Sequence, residues 1–202
     1  MSAPAKLVIL LHGVGSNGAG LAPLAGVLRP AIPAANFVSP DAPLPFDHGP
    51  GRQWFSVTGI TEGNRSARIA AARAGFDATL AAIIDAHGLT GRLDSVALLG
   101  FSQGSIMALD AVATGRWQVA AVAAFSGRLA SPPPLAPLLG TKVLLVHGAA
   151  DPVIPASDST RAAETLRGLG MDVALHIQPG LGHTISADGA ALAARFLGEA
   201  LG

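Results

Sequence analysis

The chain has 202 residues, half of them hydrophobic, with 13 basic and 13 acidic side chains and no cysteine. That length supports one domain with a sizeable core and is short for two, so residues 1–202 are read as a single domain. Zero formal net charge without a basic cluster argues against a nucleic-acid or anionic-membrane surface. The lack of cysteine excludes disulfides, thiol nucleophiles and Cys-ligated zinc, and no metal site is expected.

The amino terminus, Met1 to Lys6, runs straight into Leu7-Val8-Ile9-Leu10-Leu11, a continuous apolar run that reads as a buried strand. The run is too short for a signal segment or a membrane span, so the expectation is a cytoplasmic protein without stable membrane insertion. A glycine loop, His12-Gly13-Val14-Gly15, follows, with a helix expected near residues 20–29 and a weaker strand at Asn36 to Ser39. Pro40 to Gly63 is rich in Pro and Gly, carries Trp54 and Phe55, and reads as a loop. A helix is expected near 66–87, where Ile69, Ala72, Arg73, Phe76, Leu80, Ile83 and Ile84 give a mostly apolar helical stripe. The third strand spans Ser95 to Leu99 and leads through Gly100-Phe101-Ser102-Gln103-Gly104 into a helix near 103–114.

Val119 to Phe125 is the fourth strand, although its alanines suit a helix as well. Ser131 to Gly140, with four prolines, is a second loop. Strands at Lys142 to Val146 and Asp172 to Ile177 alternate with helices near 157–169 and 187–200. Such β-α alternation implies a mostly parallel sheet covered by helices on both faces. Loops at the carboxyl ends of such strands shape the ligand crevice. The Trp54 loop is expected to line it, while the proline-rich loop serves equally well as lining or connector.

Gly-x-Ser-x-Gly between a strand and a helix holds a serine hydroxyl exposed on a tight turn. A serine hydroxyl is a weak nucleophile alone, so a base and an orienting acid are needed. Asp151 follows the fifth strand in His147-Gly148-Ala149-Ala150-Asp151-Pro152, and Pro152 discourages helix at Asp151. His183 follows the sixth strand in Gly180-Leu181-Gly182-His183. Three residue types in the order Ser, Asp, His, each just past a strand end, point to Ser102 as nucleophile, His183 as general base and Asp151 as its orienting acid. Asp158 reads as a helix-capping residue, and His12 and His147 as supports of loop geometry. The oxyanion donors are then the backbone amides of Gln103 and Val14.

Gly13-Val14-Gly15-Ser16-Asn17-Gly18 also matches a dinucleotide-binding fingerprint, with Asp41 at the distance of a ribose-binding acid. Against this, the helix is expected to begin beyond Gly20, Asp41 sits in a proline turn, and the Ser, Asp and His placements stay unexplained. A non-catalytic binding module on the same scaffold is a further alternative, disfavoured because all three residues are present.

Leu11-His12-Gly13-Val14-Gly15, Pro40-Asp41-Ala42-Pro43, Trp54-Phe55, Gly100-Phe101-Ser102-Gln103-Gly104, His147-Gly148, Asp151-Pro152-Val153-Ile154-Pro155 and Gly182-His183 occur in one order. Together they resemble the phospholipase/carboxylesterase family, which includes the acyl-protein thioesterases. The resemblance implies an α/β-hydrolase fold with a small or absent lid and hydrolysis of carboxylic esters or thioesters without a cofactor. It makes the substrate a small acyl ester or thioester, expected here to be short- to medium-chain, places the loop with Trp54 and Phe55 at the acyl site, with Trp54 equally suited to packing against the sheet edge, and leaves a homodimer open. The chain departs from many members at Ser16-Asn17, Ser56 and Ser105, none of which touches the proposed triad.

Overall fold

Leu7, Val8, Ile9, Leu10 and Leu11 are all buried, so this strand must be covered on both faces. The computed structural model describes residues 6–202, and the lead-in at Met1 to Ala5 lies outside the described residues. The elements run β1 (Lys6–Leu11), α1 (Gly18–Leu21), α2 (Leu24–Leu28), β2 (Ala35–Val38), β3 (Leu44–Pro45), β4 (Arg52–Gln53) and α3 (Glu62–Ala86). They continue with β5 (Val96–Phe101), α4 (Gln103–Ala113), β6 (Ala121–Phe125), β7 (Lys142–Gly148), α5 (Ala156–Gly168), β8 (Asp172–Gln178) and α6 (Ala187–Leu201). The main sheet has the order β2-β1-β5-β6-β7-β8, with every pairing parallel.

Side-chain alternation along the strands splits the interior into two cores. Leu7, Ile9 and Leu11 pack with Phe76, Leu80 and Ile106 on the α3, α4 and α5 side. Val8 and Leu10 pack with Leu28, Ala193 and Leu197 on the α2 and α6 side. β6 shows why its alanines make a strand: Ala121, Ala123 and Phe125 face one core, Val122 and Ala124 the other. Its small residues also let α4, buried along its whole length, lie close against the sheet.

β1 connects to β2 on one side of the sheet, whereas its other neighbour, β5, leads away in the opposite direction. The carboxyl ends of β1 and β5 therefore form a topological switch point, where crevices open in such sheets.

Five local expectations need correction. The helix near 20–29 is two short helices, because Pro23 lacks the N–H needed to continue α1 into α2. α1 opens at Gly18, not beyond Gly20, with the Asn17 side chain capping Gly20 N–H. α3 starts earlier than the apolar stripe suggested, since Thr61 and Asn64 form a reciprocal capping box. The Pro40 to Gly63 loop contains the β3–β4 hairpin. Finally, Asp158 caps nothing: it lies in the first turn of α5 and pairs with Arg128 and Arg161.

The proline-rich loop proves to be a connector. Ala136 N–H donates to Ala113 O at the carboxyl end of α4, and Leu139 O accepts from Gln118, beside the amino end of β6. It thus runs away from the strand ends that carry the site.

Candidate active site

Ser102 sits at the turn from β5 into α4 with φ 51° and ψ −114°. A non-glycine residue held there stores roughly 1–3 kcal/mol of strain. The turn is held by Ser102 N–H donating to Phe125 O at 2.9 Å. It also needs its two glycines: a Cβ on Gly100 would lie 2.5 Å from Ser105 N, and one on Gly104 would overlap Leu11 O. The pentapeptide is thus a steric requirement of packing α4 against β1 and β5.

Ser102, His183 and Asp151 meet in one hydrogen-bonded line. His183 Nε2 is 3.0 Å from Ser102 Oγ, and His183 Nδ1 is 2.6 Å from Asp151 Oδ2. With Asp151 ionised, Nδ1 carries the proton and donates, which leaves Nε2 to accept from the Ser102 hydroxyl. Burial alone would raise the Asp151 carboxyl. The His183 hydrogen bond and the Ile154 and Val153 amides, which donate to Oδ1 at 2.9 and 2.8 Å, outweigh it and hold its pKa below the ordinary value. His183 also packs on Phe101, with ring centroids 5.0 Å apart.

The sequence did not reveal that His147 also faces Asp151. His147 Nε2 lies 2.8 Å from Ile154 O and 3.2 Å from Asp151 Oδ2, while Nδ1 lies 2.6 Å from Ser159 Oγ. The ring therefore fixes the turn that carries the acid. Its position at the end of β7, four residues before Asp151, was the available signal.

The glycine loop after β1 abuts Ser102: a Cβ on Gly13 would lie 3.3 Å from Ser102 Cβ. Val14 lines the same cavity as Ser102 and Gln103. The Gln103 amide belongs to the first turn of α4, where helix N–H groups lack intrahelical acceptors. β4 braces the loop, because Gly15 N–H donates to Arg52 O at 2.9 Å and Arg52 N–H to Ser16 O at 2.7 Å. His12, buried beneath it, accepts from Ala42 N–H at 2.9 Å, and burial lowers its pKa.

The nucleotide fingerprint has a structural explanation. Gly18 does open a helix, but its N–H already donates to Asp41 Oδ1 at 2.8 Å, and a Cβ there would overlap Ser39 O. The acid that imitates a ribose ligand ties the loop to the end of β2.

Trp54 does not line the cavity. It is 1% exposed, stacks edge-on against Phe76, and donates Nε1–H to His12 O at 2.9 Å. Phe55 does line it, with Val14, Ile60, Ile106, Val153 and Ile154. This cavity beside Ser102 measures about 180 Å³. A second, of about 290 Å³, opens on the other side against Gly13, Phe101, Thr184 and Ile185.

The Gln103 side chain has a role the sequence hid. Its Oε1 accepts from Trp54 N–H and its Nε2 donates to Phe55 O, both at 2.7 Å, so it pairs with the loop as a neighbouring strand would. Further along, Asp47 accepts from Gln53, Ser56 and Thr58, and the Ser56 and Gln53 hydrogen bonds in particular hold its pKa at about 2. We expect Gln103→Ala to leave both Trp54 N–H and Phe55 O buried and unpaired, costing about 1–3 kcal/mol. A thermal melt checks this; an unchanged Tm would show that the loop does not depend on this bridge.

The phospholipase/carboxylesterase family model matches residues 1–201. The chain belongs to the phospholipase/carboxylesterase family. Esterase YpfH of Escherichia coli (strain K12) is 39% identical over 180 residues, covering 89% of this chain and 76% of that protein. Acyl-protein thioesterase 1 of Gibberella zeae is 28% identical over 197 residues, covering 88% and 83%. The crystal structure of esterase PE8 superposes with a TM-score of 0.88 at 39% identity, over 97% of this chain and 93% of that one. The Bacillus cereus carboxylesterase shares the fold, with a TM-score of 0.82 at 18% identity over 97% and 89%. This family member is accordingly an α/β-hydrolase of the carboxylesterase type. Among its described residues, no helix is long and apolar enough to cross a membrane.

Proposed function

We propose that the protein hydrolyses short- to medium-chain acyl esters, and thioesters of the same acyl groups, through an acyl-enzyme on Ser102. The observation that carries this reading is the hydrogen-bonded line from Ser102 through His183 to Asp151. Ser102 Oγ attacks the carbonyl carbon while His183 Nε2 takes its proton. Asp151 holds the tautomer and stabilises the imidazolium that forms. The carbonyl oxygen becomes an oxyanion facing the amides of Gln103 and Val14, each donor worth roughly 3–4 kcal/mol at such sites. The tetrahedral intermediate collapses, the carbon–oxygen or carbon–sulfur bond breaks, and His183 returns the proton to the leaving group. Water, activated by the same histidine, then releases the acid from Ser102.

The two cavities divide the substrate. Thr184 and Ile185, next to His183, border the larger one, which suits the leaving group that the histidine protonates. The smaller, apolar cavity with Phe55 and Ile106 takes the acyl chain. At about 180 Å³ the cavity is smaller than the roughly 300–1,000 Å³ of pockets that hold drug-sized ligands, which favours short chains. Ser102→Ala is expected to lower kcat for 4-nitrophenyl butyrate by about 10⁶-fold with an unchanged melting temperature. Turnover within tenfold of the parent would exclude Ser102 as the nucleophile.

A further inference from the structure

The acyl cavity is apolar except at one wall, where Arg65 and Arg128 border it. Arg65 comes from the first turn of α3 and Arg128 from the loop after β6. Both also border a neighbouring polar cavity of about 320 Å³, together with Glu62, Asp158 and Arg161. The carboxylates there do not balance the guanidiniums. Asp158 serves two of them, with Arg128 Nε at 3.3 Å from Oδ2 and Arg161 on Oδ1. Arg65 has no ion-pair partner among the described residues, and Glu62 is the only other acid of that cavity. The Arg128 side chain is only 17% exposed. Burial, and the repulsion of Arg65 and Arg161, outweigh the attraction of Glu62 and Asp151 and push its pKa down, so a further negative charge beside it would be stabilised.

A cavity meant for an alkyl chain alone gains nothing from guanidiniums on its wall, since their desolvation opposes apolar filling. Guanidiniums pair strongly and in bidentate fashion with carboxylates.

Building on the acyl-enzyme reading above, we propose that the preferred acyl group ends in a carboxylate. The substrate is then the half-ester or half-thioester of a short dicarboxylic acid, with its ester carbonyl at Ser102 and its free carboxylate at Arg65 and Arg128. The small volume of the cavity, about 180 Å³, favours a short chain.

The test compares monoethyl glutarate with ethyl pentanoate, a neutral ester of equal chain length, by following ethanol release by NMR. We expect kcat/KM to be at least tenfold higher for the half-ester and this ratio to shrink with added salt, as charge pairing is screened. Arg65→Gln and Arg128→Gln should each cut the ratio at least fivefold. A general loss of folding would lower both substrates together and leave the ratio where it was. A parent ratio of one or less, or a ratio unchanged in both variants, would overturn the proposal. Ser102→Ala separates the two levels. If the parent hydrolyses ethyl pentanoate through Ser102 without preferring the half-ester, the carboxylate pocket fails and the esterase reading stands. If Ser102→Ala still hydrolyses both, the acyl-enzyme reading fails first.

Discussion

Asp151→Asn is expected to lower kcat by about 10⁴-fold while leaving the fold in place. Asp151 uses its two oxygens differently. Oδ1 takes the amides of Val153 and Ile154, and Oδ2 takes His183 Nδ1 at 2.6 Å. An asparagine must keep its oxygen on the two amides, because they are donors. Its NH₂ then faces His183 Nδ1, which has to turn acceptor. The proton moves to Nε2, the nitrogen that must receive the Ser102 proton, so the base is blocked though its position is kept. The size and shape of the side chain are conserved and the turn amides stay paired, so Tm should fall little. The checks are kcat with 4-nitrophenyl butyrate and a thermal melt on the same preparation. A loss below tenfold with a native melt would remove Asp151 from the reaction.

The largest effect on stability is expected at Asp110→Ala. Asp110 is fully buried in α4 and receives Arg73 through two bonds of 3.0 and 2.9 Å, with Arg116 at 2.9 Å. Arg116 goes on to Asp77, which also accepts from Trp117 Nε1–H at 2.7 Å, so the carboxylates tie α3 to α4 and the turn after it. Removing one partner from such a network typically costs 3–5 kcal/mol. Both arginines remain about a quarter to a fifth exposed and can be partly hydrated, so about 3 kcal/mol is the better figure. For a chain of this length that corresponds to a drop in Tm of roughly 6–12 °C.

The effect also has a pH signature. Burial would raise the Asp110 carboxyl, but Arg73 and Arg116 outweigh it and its pKa in the folded protein is depressed. A depressed carboxylate stabilises the fold fully above its unfolded pKa of about 3.9, and that stabilisation is lost as pH falls through the folded pKa. The stability gap between the parent and Asp110→Asn should therefore be full at pH 7 and narrow on acidification below about pH 4. A gap constant from pH 7 to pH 3 would show that the charge of Asp110 contributes nothing.

What the sequence conveyed well was local. The turn at Ser102 needs Gly100 and Gly104 within two residues, and each strand that feeds the site is a continuous apolar run, so both can be read along the chain. Features that depend on distant partners were illegible. Trp54 and Phe55 are adjacent, yet one packs under the glycine loop and the other borders the cavity beside Ser102. Only the pairing of their backbone with the Gln103 side chain, about fifty residues away, decides which goes where. The β3–β4 hairpin was hidden because its strands are two residues long and it is stabilised by docking on Gly15 and Ser16. Gly18 opens α1 because Asp41, 23 residues downstream, completes the turn, a partner that lies outside its local sequence. The two arginines at the cavity beside Ser102 lie on α3 and after β6, so nothing in their sequence neighbourhoods links them.

On the proposed mechanism, hydrolysis proceeds through a covalent bond to Ser102. The direct measurement is mass spectrometry of the protein after incubation with a fluorophosphonate, followed by proteolysis to locate the adduct. A single adduct on the peptide containing Gly100-Phe101-Ser102-Gln103-Gly104, absent from Ser102→Ala, is the expected result. An unlabelled parent that still hydrolyses 4-nitrophenyl butyrate, or an adduct on any other residue, would contradict it.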